Sequence, residues 1–365
     1  MFCSNKRFKF KALGINVYGG GFTLGVIKHF DVLQQWEEIK LGYKTFEANF
    51  QGIYRPICHY SDWPVNSHAE LVPFIYANPP CAPWSDANVF KGQSIEKRFH
   101  DSRLHLTEHT MEAAMAMRPL VFISESVENA YNYGAKFYEP YRDRWLKLEY
   151  SVTWFLTDAV IHGAPCARRR FHFIAHRAQL QLPKPPVMTW EKLNTVEKAI
   201  GDLRNVPFNE ELEHTEAQAG IWITPPYRKY LSLVEPGCRY YGHLPKNFTG
   251  KMPSIFQYRF RWDRPANTIV RFAHKVHPDA KRFITRREGM RLLTYPDNFK
   301  INGPDIGAYD TVLPLMGKFL ADVAKKTILA ARTQKSEFNI IDWRPLGKPF
   351  RSQRISRDKN ERIKN

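Results

Sequence analysis

The chain has 365 residues, a length that fits about two domains with a substantial hydrophobic core. Lys and Arg outnumber Asp and Glu by 54 to 36, a formal charge of +18, which favours a polyanionic partner such as nucleic acid or an acidic membrane surface. No run has the form of a signal peptide or could span a bilayer, so we expect a soluble, intracellular protein.

Five cysteines are scattered along the chain without a CxxC pair: Cys3, Cys58, Cys81, Cys166 and Cys238. An odd, unpaired set argues against a disulfide framework and against a zinc site. We therefore expect reduced thiols and no bound metal.

The first predicted unit is a strand, a glycine turn and a helix. A mixed basic and apolar run, Phe8 to Val17, leads into Tyr18-Gly19-Gly20-Gly21, and a helical pattern continues through Phe30. This order lets backbone N–H groups and a helix N-terminus approach a polar cofactor. A tight structural turn explains the glycines about as well.

Three acids follow predicted strands. The second strand, Val32 to Trp36, ends in Glu37 and Glu38, and Asp62 follows another short extended run. An acid at the tip of the second strand is where such units hold a ribose diol. Each acid singly fits a solvated surface residue, but three at successive strand ends predict a nucleoside pocket.

A cysteine lies on a proline-rich turn after the apolar run Leu71 to Ile75. Pro79 and Pro80 fix φ and donate no backbone N–H, so the thiol of Cys81 is presented at a set angle. This arrangement suits a nucleophile, while a half-buried packing cysteine is the alternative.

An acid comes next in chain order. After a polar segment from Asp86 to Arg103, expected to form a mobile loop, a helix is predicted over Leu104 to Met117, and the strand Leu120 to Ile123 leads to Glu125. The inner face of that helix is predicted from its apolar spacing: Leu106, Met111, Ala114 and Met115. Because sequential strands usually neighbour one another, we expect Glu125 beside the strand that bears Cys81. A thiolate and a carboxylic acid together suit attack on an electron-poor ring, whereas a surface glutamate capping a helix is the alternative.

Three consecutive arginines open the next predicted strand. Strand alternation places Arg168 and Arg170 on one face and Arg169 on the other. Two arginines beside a thiol and an acid suit a phosphate or a base oxygen, and a solvated basic edge is the alternative.

The ordered blocks of the chain resemble those of the DNA cytosine-5 methyltransferases. The blocks run from about Gly14 to Lys325 in the family's order, and they are the glycine turn, Pro79-Pro80-Cys81, Glu125-Ser126-Val127, Cys166-Ala167-Arg168-Arg169-Arg170, Arg264-Pro265-Ala266-Asn267-Thr268-Ile269, Arg287-Glu288-Gly289-Met290-Arg291-Leu292 and Tyr295-Pro296-Asp297-Asn298-Phe299. The series is far more specific than any one block.

The resemblance implies an α/β, doubly wound, Rossmann-like domain that binds S-adenosylmethionine, with a second, smaller target-recognition domain. The expected boundaries are 1–177 plus 305–333 for the catalytic domain, 178–304 for target recognition and 334–365 for a disordered basic tail. The resemblance also implies that a cytosine is flipped from duplex DNA. Cys81 would attack C6, Glu125 would engage N3, and Arg168 with Arg170 would hold the base oxygen.

The family also implies a cofactor set in this chain: Asn16, Tyr18, Gly19, Gly20, Gly21, Phe22, Leu24, Glu37, Glu38, Asp62, Trp63, Asn78 and Pro80. The family's Phe, its first Gly and its adenine-stacking aromatic are replaced here by Asn16, Tyr18 and Glu38, and Pro314 removes a family amide. Lost stacking and the lost amide predict donor binding about ten- to a hundredfold weaker than in the family.

Interleaved cations and aromatics between Ala178 and Asp263 suit a nucleic-acid groove, although a small aromatic core is equally compatible. The residues expected to contact DNA are Ser85, Arg103, Arg228, Lys229 and Arg239. We expect a monomer on double-stranded DNA, without membrane or metal partners, in the cytoplasm of a bacterial or phage-infected cell or otherwise inside a cell, with a companion restriction endonuclease as a further expectation. Two alternatives stay open, namely a tRNA-directed cytosine-5 methyltransferase and a non-catalytic DNA-binding relative.

Overall fold

The computed structural model describes residues 9–68, 72–85, 94–186, 192–204, 234–238, 258–269, 275–280, 282–302, 309–330 and 333–345. Contacts divide the chain into two units. The first unit lies within Met1–Thr157, Arg169–Pro185 and Asn302–Trp343, and the second within Asp158–Arg168, Pro186–Ile301 and Arg344–Asn365.

The first unit is built on a seven-stranded sheet in the order β2-β1-β3-β4-β6-β5-β9. Its strands are β1 (Phe10–Ile15), β2 (Phe30–Trp36), β3 (Phe74–Ala77), β4 (Val121–Val127), β5 (Ser151–Asp158), β6 (Arg169–His176) and β9 (Phe338–Trp343). The pairs β1–β2, β1–β3, β3–β4 and β5–β9 are parallel, and β4–β6 is antiparallel. This mixed sheet is a Rossmann-like architecture, so the predicted fold class is confirmed.

The helices of the first unit are α1 (Gly21–Val26), α2 (Tyr43–Asn49), α3 (Val65–His68), α4 (Ile95–Arg98), α5 (Leu104–Met117), α6 (Glu128–Asn132), α7 (Ala135–Lys147) and α10 (Pro314–Leu329). Helix α5 has the predicted bounds, and its predicted inner face is buried. Helix α1 ends before the predicted Phe30, which instead begins β2. None of the helices in the described residues is long and apolar enough to cross a membrane.

Helices α1 and α10 meet through glycines. A Cβ at Gly25 would lie 2.2 Å from the backbone nitrogen of Lys318, and one at Gly317 would lie 2.7 Å from the carbonyl oxygen of Phe22. Side chains at these positions would push the helices apart. The two glycines therefore let α10 pack closely against α1, the helix that follows the glycine turn.

The expected disordered tail from residue 334 is wrong for residues 338–343, which form β9 at the edge of the sheet. The reason is packing, because the ring of Phe338 lies 5.0 Å from that of Trp154 and the ring of Trp343 lies 5.0 Å from that of Phe155. The segment from 346 to 365 lies outside the described residues.

The second unit contains α8 (Val196–Ile200), α9 (Arg286–Leu292) and a two-stranded parallel sheet of β7 (Tyr258–Arg259) and β8 (Lys275–Val276). Helix α9 begins with a capping box in which Thr285 and Glu288 bond each other's backbone N–H groups. Two long stretches of the predicted target-recognition region, 205–233 and 239–257, lie outside the described residues, and they include Arg228, Lys229 and Arg239.

Candidate active site

The sheet register brings the ends of three strands together. Ile15 at the end of β1 pairs with Ala77 at the end of β3, and Ala77 pairs with Ser124 of β4. Asn16, Asn78 and Glu125 therefore lie side by side at the carboxyl edge of these parallel strands. This is the edge where open α/β sheets bind ligands.

Cys81 opens a single 3-10 turn, Ala82–Trp84, immediately after β3. Its carbonyl accepts the N–H of Trp84 at 3.0 Å, and its thiol is half-buried. The indole of Trp84 is fully buried and packs edge-on against Phe99 at 5.2 Å. Arg98 donates to the carbonyl of Trp84 at 3.1 Å. This hydrogen bond holds the last residue of the turn that begins at Cys81.

Glu125 is held through both carboxylate oxygens. Nδ2 of Asn78 donates to Oε2 at 2.8 Å, and Nε of Arg170 lies 2.8 Å from Oε1. The Glu125 side chain is only 3% exposed, so these partners stabilise a charge that would otherwise be costly to bury. The prediction that the strand bearing Glu125 lies next to the strand that leads to Cys81 is confirmed, because β4 pairs with β3.

The sequence placed Glu125 at a strand end, but β4 continues through it to Val127. The polar residues Ser124, Glu125 and Ser126 are buried within the strand, each paired across to β6. Their polarity resembles that of a loop, yet the antiparallel partner satisfies their backbone groups.

The structure shows only part of the separation that strand alternation predicts for the three arginines. Arg170 pairs with Glu125, whereas Arg169 lies 3.8 Å from Glu128. Arg168 precedes β6 and belongs to the second unit, where its backbone N–H donates to Oδ1 of Asp158 at 2.9 Å. Its predicted action together with Arg170 stays a prediction.

Glu37 organises the glycine turn. Its Oε1 accepts the backbone N–H of Val17 at 2.7 Å and that of Tyr18 at 3.0 Å, and also Nε2 of Gln35 at 2.9 Å. Nη2 of Arg55 lies 3.5 Å away, and both side chains are buried. Burial raises the pKa of Glu37, and Arg55, Gln35 and the two amides oppose that rise.

Two residues other than glycine at this turn adopt left-handed backbone. Asn16 and Tyr18 both have φ of 52°, while Gly20 has φ of 87° and leaves no room for a side chain, since a Cβ there would lie 2.3 Å from the ring of Phe50. The Tyr18 phenol is buried, and burial followed by the charge of Glu37 raises its pKa, with smaller effects from Cys81 and Glu125.

Among the described residues, four buried acceptor oxygens on the segments that directly follow β1, β2 and β3 have no hydrogen-bond partner. They are Oδ1 of Asn16, Oε2 of Glu37, Oε2 of Glu38 and Oδ1 of Asn78. A buried acceptor is unfavourable unless a donor reaches it. A ligand with hydroxyl, amino and cationic groups would supply those donors, so this set fits S-adenosylmethionine.

The predicted adenine side of the site is polar. Glu38 Oε1 lies 3.1 Å from Nε2 of His105, and Asp62, on the 3-10 turn Tyr60–Asp62, accepts the hydroxyl of Ser61 at 3.2 Å. Trp63 is buried against Trp36, with ring centroids 5.9 Å apart.

Of the two predicted DNA contacts that the structure describes, Ser85 ends the Cys81 turn and Arg103 precedes α5. Arg103 donates from Nε to Oδ1 of Asp101 at 2.8 Å. The segment 86–93 of the predicted loop lies outside the described residues, and α4 lies within the rest of it.

Sequence reasoning missed several side chains that support the site. They are Arg55 and Gln35 beside Glu37, Thr110 beside Asn16, His105 beside Glu38, and Asp158 beneath the Arg168 backbone. Gln35 shares a strand face with Glu37, a spacing of two that could have identified it. The others are partners across long stretches of sequence, and no local pattern marks them.

The sequence model described as C-5 cytosine-specific DNA methylase matches residues 11–312, so the chain belongs to that family. A relative in Haemophilus parahaemolyticus, the type II methyltransferase M1.HphI, is 24% identical over 328 residues, covering 87% of this chain and 86% of its own.

Two solved structures share the fold. One is a candidate DNA modification methyltransferase encoded within a prophage (E. coli), with a TM-score of 0.64, 18% identity, and coverage of 88% of this chain and 100% of the other. The other is a mutant of DNMT2 from Spodoptera frugiperda, with a TM-score of 0.58, 11% identity, and coverage of 87% and 99%.

Proposed function

We propose that the protein is a DNA (cytosine-5-)-methyltransferase that transfers a methyl group from S-adenosylmethionine to C5 of a cytosine in duplex DNA. The observation that carries the proposal is the buried carboxylate of Glu125, held by Asn78 and Arg170 on β4, the neighbour of the strand that leads into the Cys81 turn. A binding module alone would have no use for an acid fixed in this way beside a presented thiol. Membership of the methylase family supports the same reaction.

In the proposed mechanism the Cys81 thiolate adds to C6 of the flipped cytosine, and a C–S bond forms while the ring electrons move toward C5. Glu125 acts as an acid that delivers a proton to N3, and this proton neutralises the negative charge that develops on the ring. When bound, S-adenosylmethionine supplies an electrophilic methyl group and leaves as a thioether. After C5 has taken the methyl group, the C5 proton passes to a water molecule, the C5–C6 double bond re-forms as the C–S bond breaks, and the Cys81 thiolate departs while N3 returns its proton to Glu125.

The residues that would hold the donor are those with unpartnered buried oxygens. Glu37 Oε2 suits the ribose hydroxyls, because an acid at the tip of the second strand holds the ribose in this fold. Asn16 and Asn78 border the same strand ends, and their Oδ1 atoms suit the donor's amino and cationic groups. Glycines at the turn let the backbone approach the donor closely.

Duplex DNA as the substrate is supported by the family and by the formal charge of +18. We propose that the chain acts as a monomer on DNA inside the cell, and that a companion restriction endonuclease accompanies it. The type II assignment of the relative M1.HphI supports this last point.

The test is transfer of labelled methyl from S-adenosylmethionine to duplex DNA and, in parallel, to tRNA. We expect label in the DNA at cytosine. Label that enters only tRNA would overturn the substrate, and no label in either, with folded protein and donor binding retained, would favour a non-catalytic DNA-binding protein.

A further inference from the structure

A cluster of ionisable and aromatic side chains lies beside Glu38. Three segments contribute to it, namely the end of β2, the 3-10 turn near Tyr60 and the start of α5. We call it the Glu38 cluster, and its members are Glu38, His59, Tyr60, His105 and His109. The mechanism proposed above assigns no role to its three histidines.

His105 uses both ring nitrogens. Nδ1 contacts the carbonyl oxygen of Ser102, and because a carbonyl can only accept, Nδ1 carries a hydrogen. Nε2 lies 3.1 Å from Oε1 of Glu38. A hydrogen bond there requires one further proton between Nε2 and Oε1, since an unprotonated ring nitrogen and a carboxylate would oppose lone pairs.

The proton shared by this pair fixes one oxygen of Glu38 and leaves the other available. Within the described residues Oε2 is buried and has no partner. Glu38 directly follows Glu37, whose position suits the ribose. An unsatisfied acceptor one residue further along the same edge suits the exocyclic amino group of the purine attached to that ribose.

The aromatic rings of the Glu38 cluster pack against one another beside His105. His109 stacks on Tyr60 with centroids 3.2 Å apart and an interplanar angle of 10°, and His59 lies 4.2 Å from Tyr60 on the same turn. His105 meets His109 edge-on at 5.8 Å. These rings brace the His105 imidazole, and they form no group that could hold a metal ion among the described residues.

We propose that His105 is a positioning residue for the methyl donor, because it orients Glu38 so that Oε2 accepts a hydrogen bond from the purine amino group. The proposal rests on the proposed function, since it concerns the donor of that reaction. Under this proposal Glu38 makes a polar contact with the purine, whereas the family has an aromatic residue that stacks on the purine at this position.

The charged and polar groups that face His105 determine the pKa of its imidazole. Glu38 and Glu108 are the acids, His109 is a further base, and Ser102 accepts from Nδ1. His59 faces His109, and on the remaining segment Cys58 lies near both Glu38 and Asp62. Burial lowers the pKa of His105, but the Ser102 carbonyl and the Glu38 carboxylate outweigh burial and raise it above its ordinary value.

This proton makes donor binding depend on pH. Below the raised pKa, the proton is present and Glu38 is held. As the pH rises through that pKa, the proton is lost, Oε1 and Nε2 repel and Glu38 is released. Donor affinity should therefore fall with rising pH.

The test is calorimetric titration of the full chain with S-adenosylmethionine at about pH 6 and about pH 8. We expect the wild-type affinity to fall about five- to tenfold between the two. His105→Gln provides an amide donor to Glu38 without titrating, so it should bind at both pH values with an affinity close to that of the wild type at the lower pH. His105→Ala should bind weakly at both, and His29→Gln, on the turn between α1 and β2, should behave as wild type.

Wild-type affinity that ignores pH, or a His105→Gln variant that keeps the wild-type pH dependence, would overturn the inference alone. No detectable binding by folded wild-type protein at either pH would instead contradict the proposed donor, and the inference with it. Because these are binding measurements, they need no turnover.

Discussion

The side-chain amide of Asn78 donates to the carboxylate of Glu125 at 2.8 Å. Asn78 follows β3 and lies three residues before Cys81, so one residue couples the segment of the proposed nucleophile to the proposed acid on β4. Arg170 lies 2.8 Å from the other carboxylate oxygen, so both oxygens of Glu125 have a partner that holds them in place. The site is therefore preorganised before any substrate arrives.

Arg170→Ala should lower both stability and turnover. Removing the guanidinium leaves the buried Glu125 short of a partner, at a cost of about 1–3 kcal/mol in the free energy of unfolding. Urea unfolding and a methyl-transfer assay measure the two effects. Arg169→Ala is the matched control, because its 3.8 Å pair with Glu128 is partly exposed and should contribute at most about 0.5 kcal/mol. Equal losses in the two variants would contradict the role of Arg170.

Cys81→Ser should lower turnover by more than about a hundredfold while DNA binding persists. A serine hydroxyl without an adjacent base is a much poorer nucleophile than a thiolate. Cys238→Ser, at a half-buried thiol in the second unit, is the control and should keep normal turnover. A Cys81→Ser variant with a near-normal rate would remove the proposed mechanism.

Glu37→Ala should weaken donor binding by about ten- to a hundredfold, because the ribose contact and the fixed turn are both lost. Titration calorimetry measures the change. Gln34→Ala is the control on the same strand, since Gln34 bonds Trp36 rather than Glu37. Unchanged affinity in Glu37→Ala would show that the donor binds elsewhere.

The second unit should lose stability in mild acid through His277. This side chain is 2% exposed, and burial lowers its pKa to about 4. Because the unfolded histidine titrates near its ordinary value, the stabilisation is complete above about pH 6.5 and falls as the pH drops from there toward about 4. The loss over that window should be on the order of 3 kcal/mol.

Urea unfolding of the wild type and of His277→Gln across that window measures the effect of His277. The variant should show a flatter decline, whereas His100→Gln, at an exposed histidine, should follow the wild type. Parallel curves for wild type and His277→Gln would contradict the prediction.

Local patterns predicted the parts of the fold that depend on local physics. The apolar spacing of α5 gave its bounds, and the prolines before Cys81 marked the turn. Buried polar stretches were harder, since Ser124 to Ser126 resemble a loop although β6 pairs with them. Residues 338–343 do not alternate strictly between apolar and polar side chains, so no clear strand period separates them from the basic tail to which they were assigned.

The supporting contacts of the site depend on the tertiary fold. Asn16 bonds Thr110, which is 94 residues away, and the Glu38 partner His105 is 67 residues away. Sequence indicates which residues carry chemistry, because their types are restricted by the reaction. It does not indicate which distant side chains hold them, since many residue types could fill those places.

The most direct test of the proposed chemistry uses duplex DNA in which 5-fluorocytosine replaces cytosine, incubated with the protein and S-adenosylmethionine. After methyl transfer C5 carries fluorine, which cannot leave as a cation, so the C–S bond to the enzyme should persist. We expect a denaturation-resistant complex whose peptide, analysed by mass spectrometry, carries the base on Cys81, and no complex with Cys81→Ala. An adduct on another residue, or its complete absence while C5 of ordinary cytosine is methylated, would contradict catalysis by Cys81.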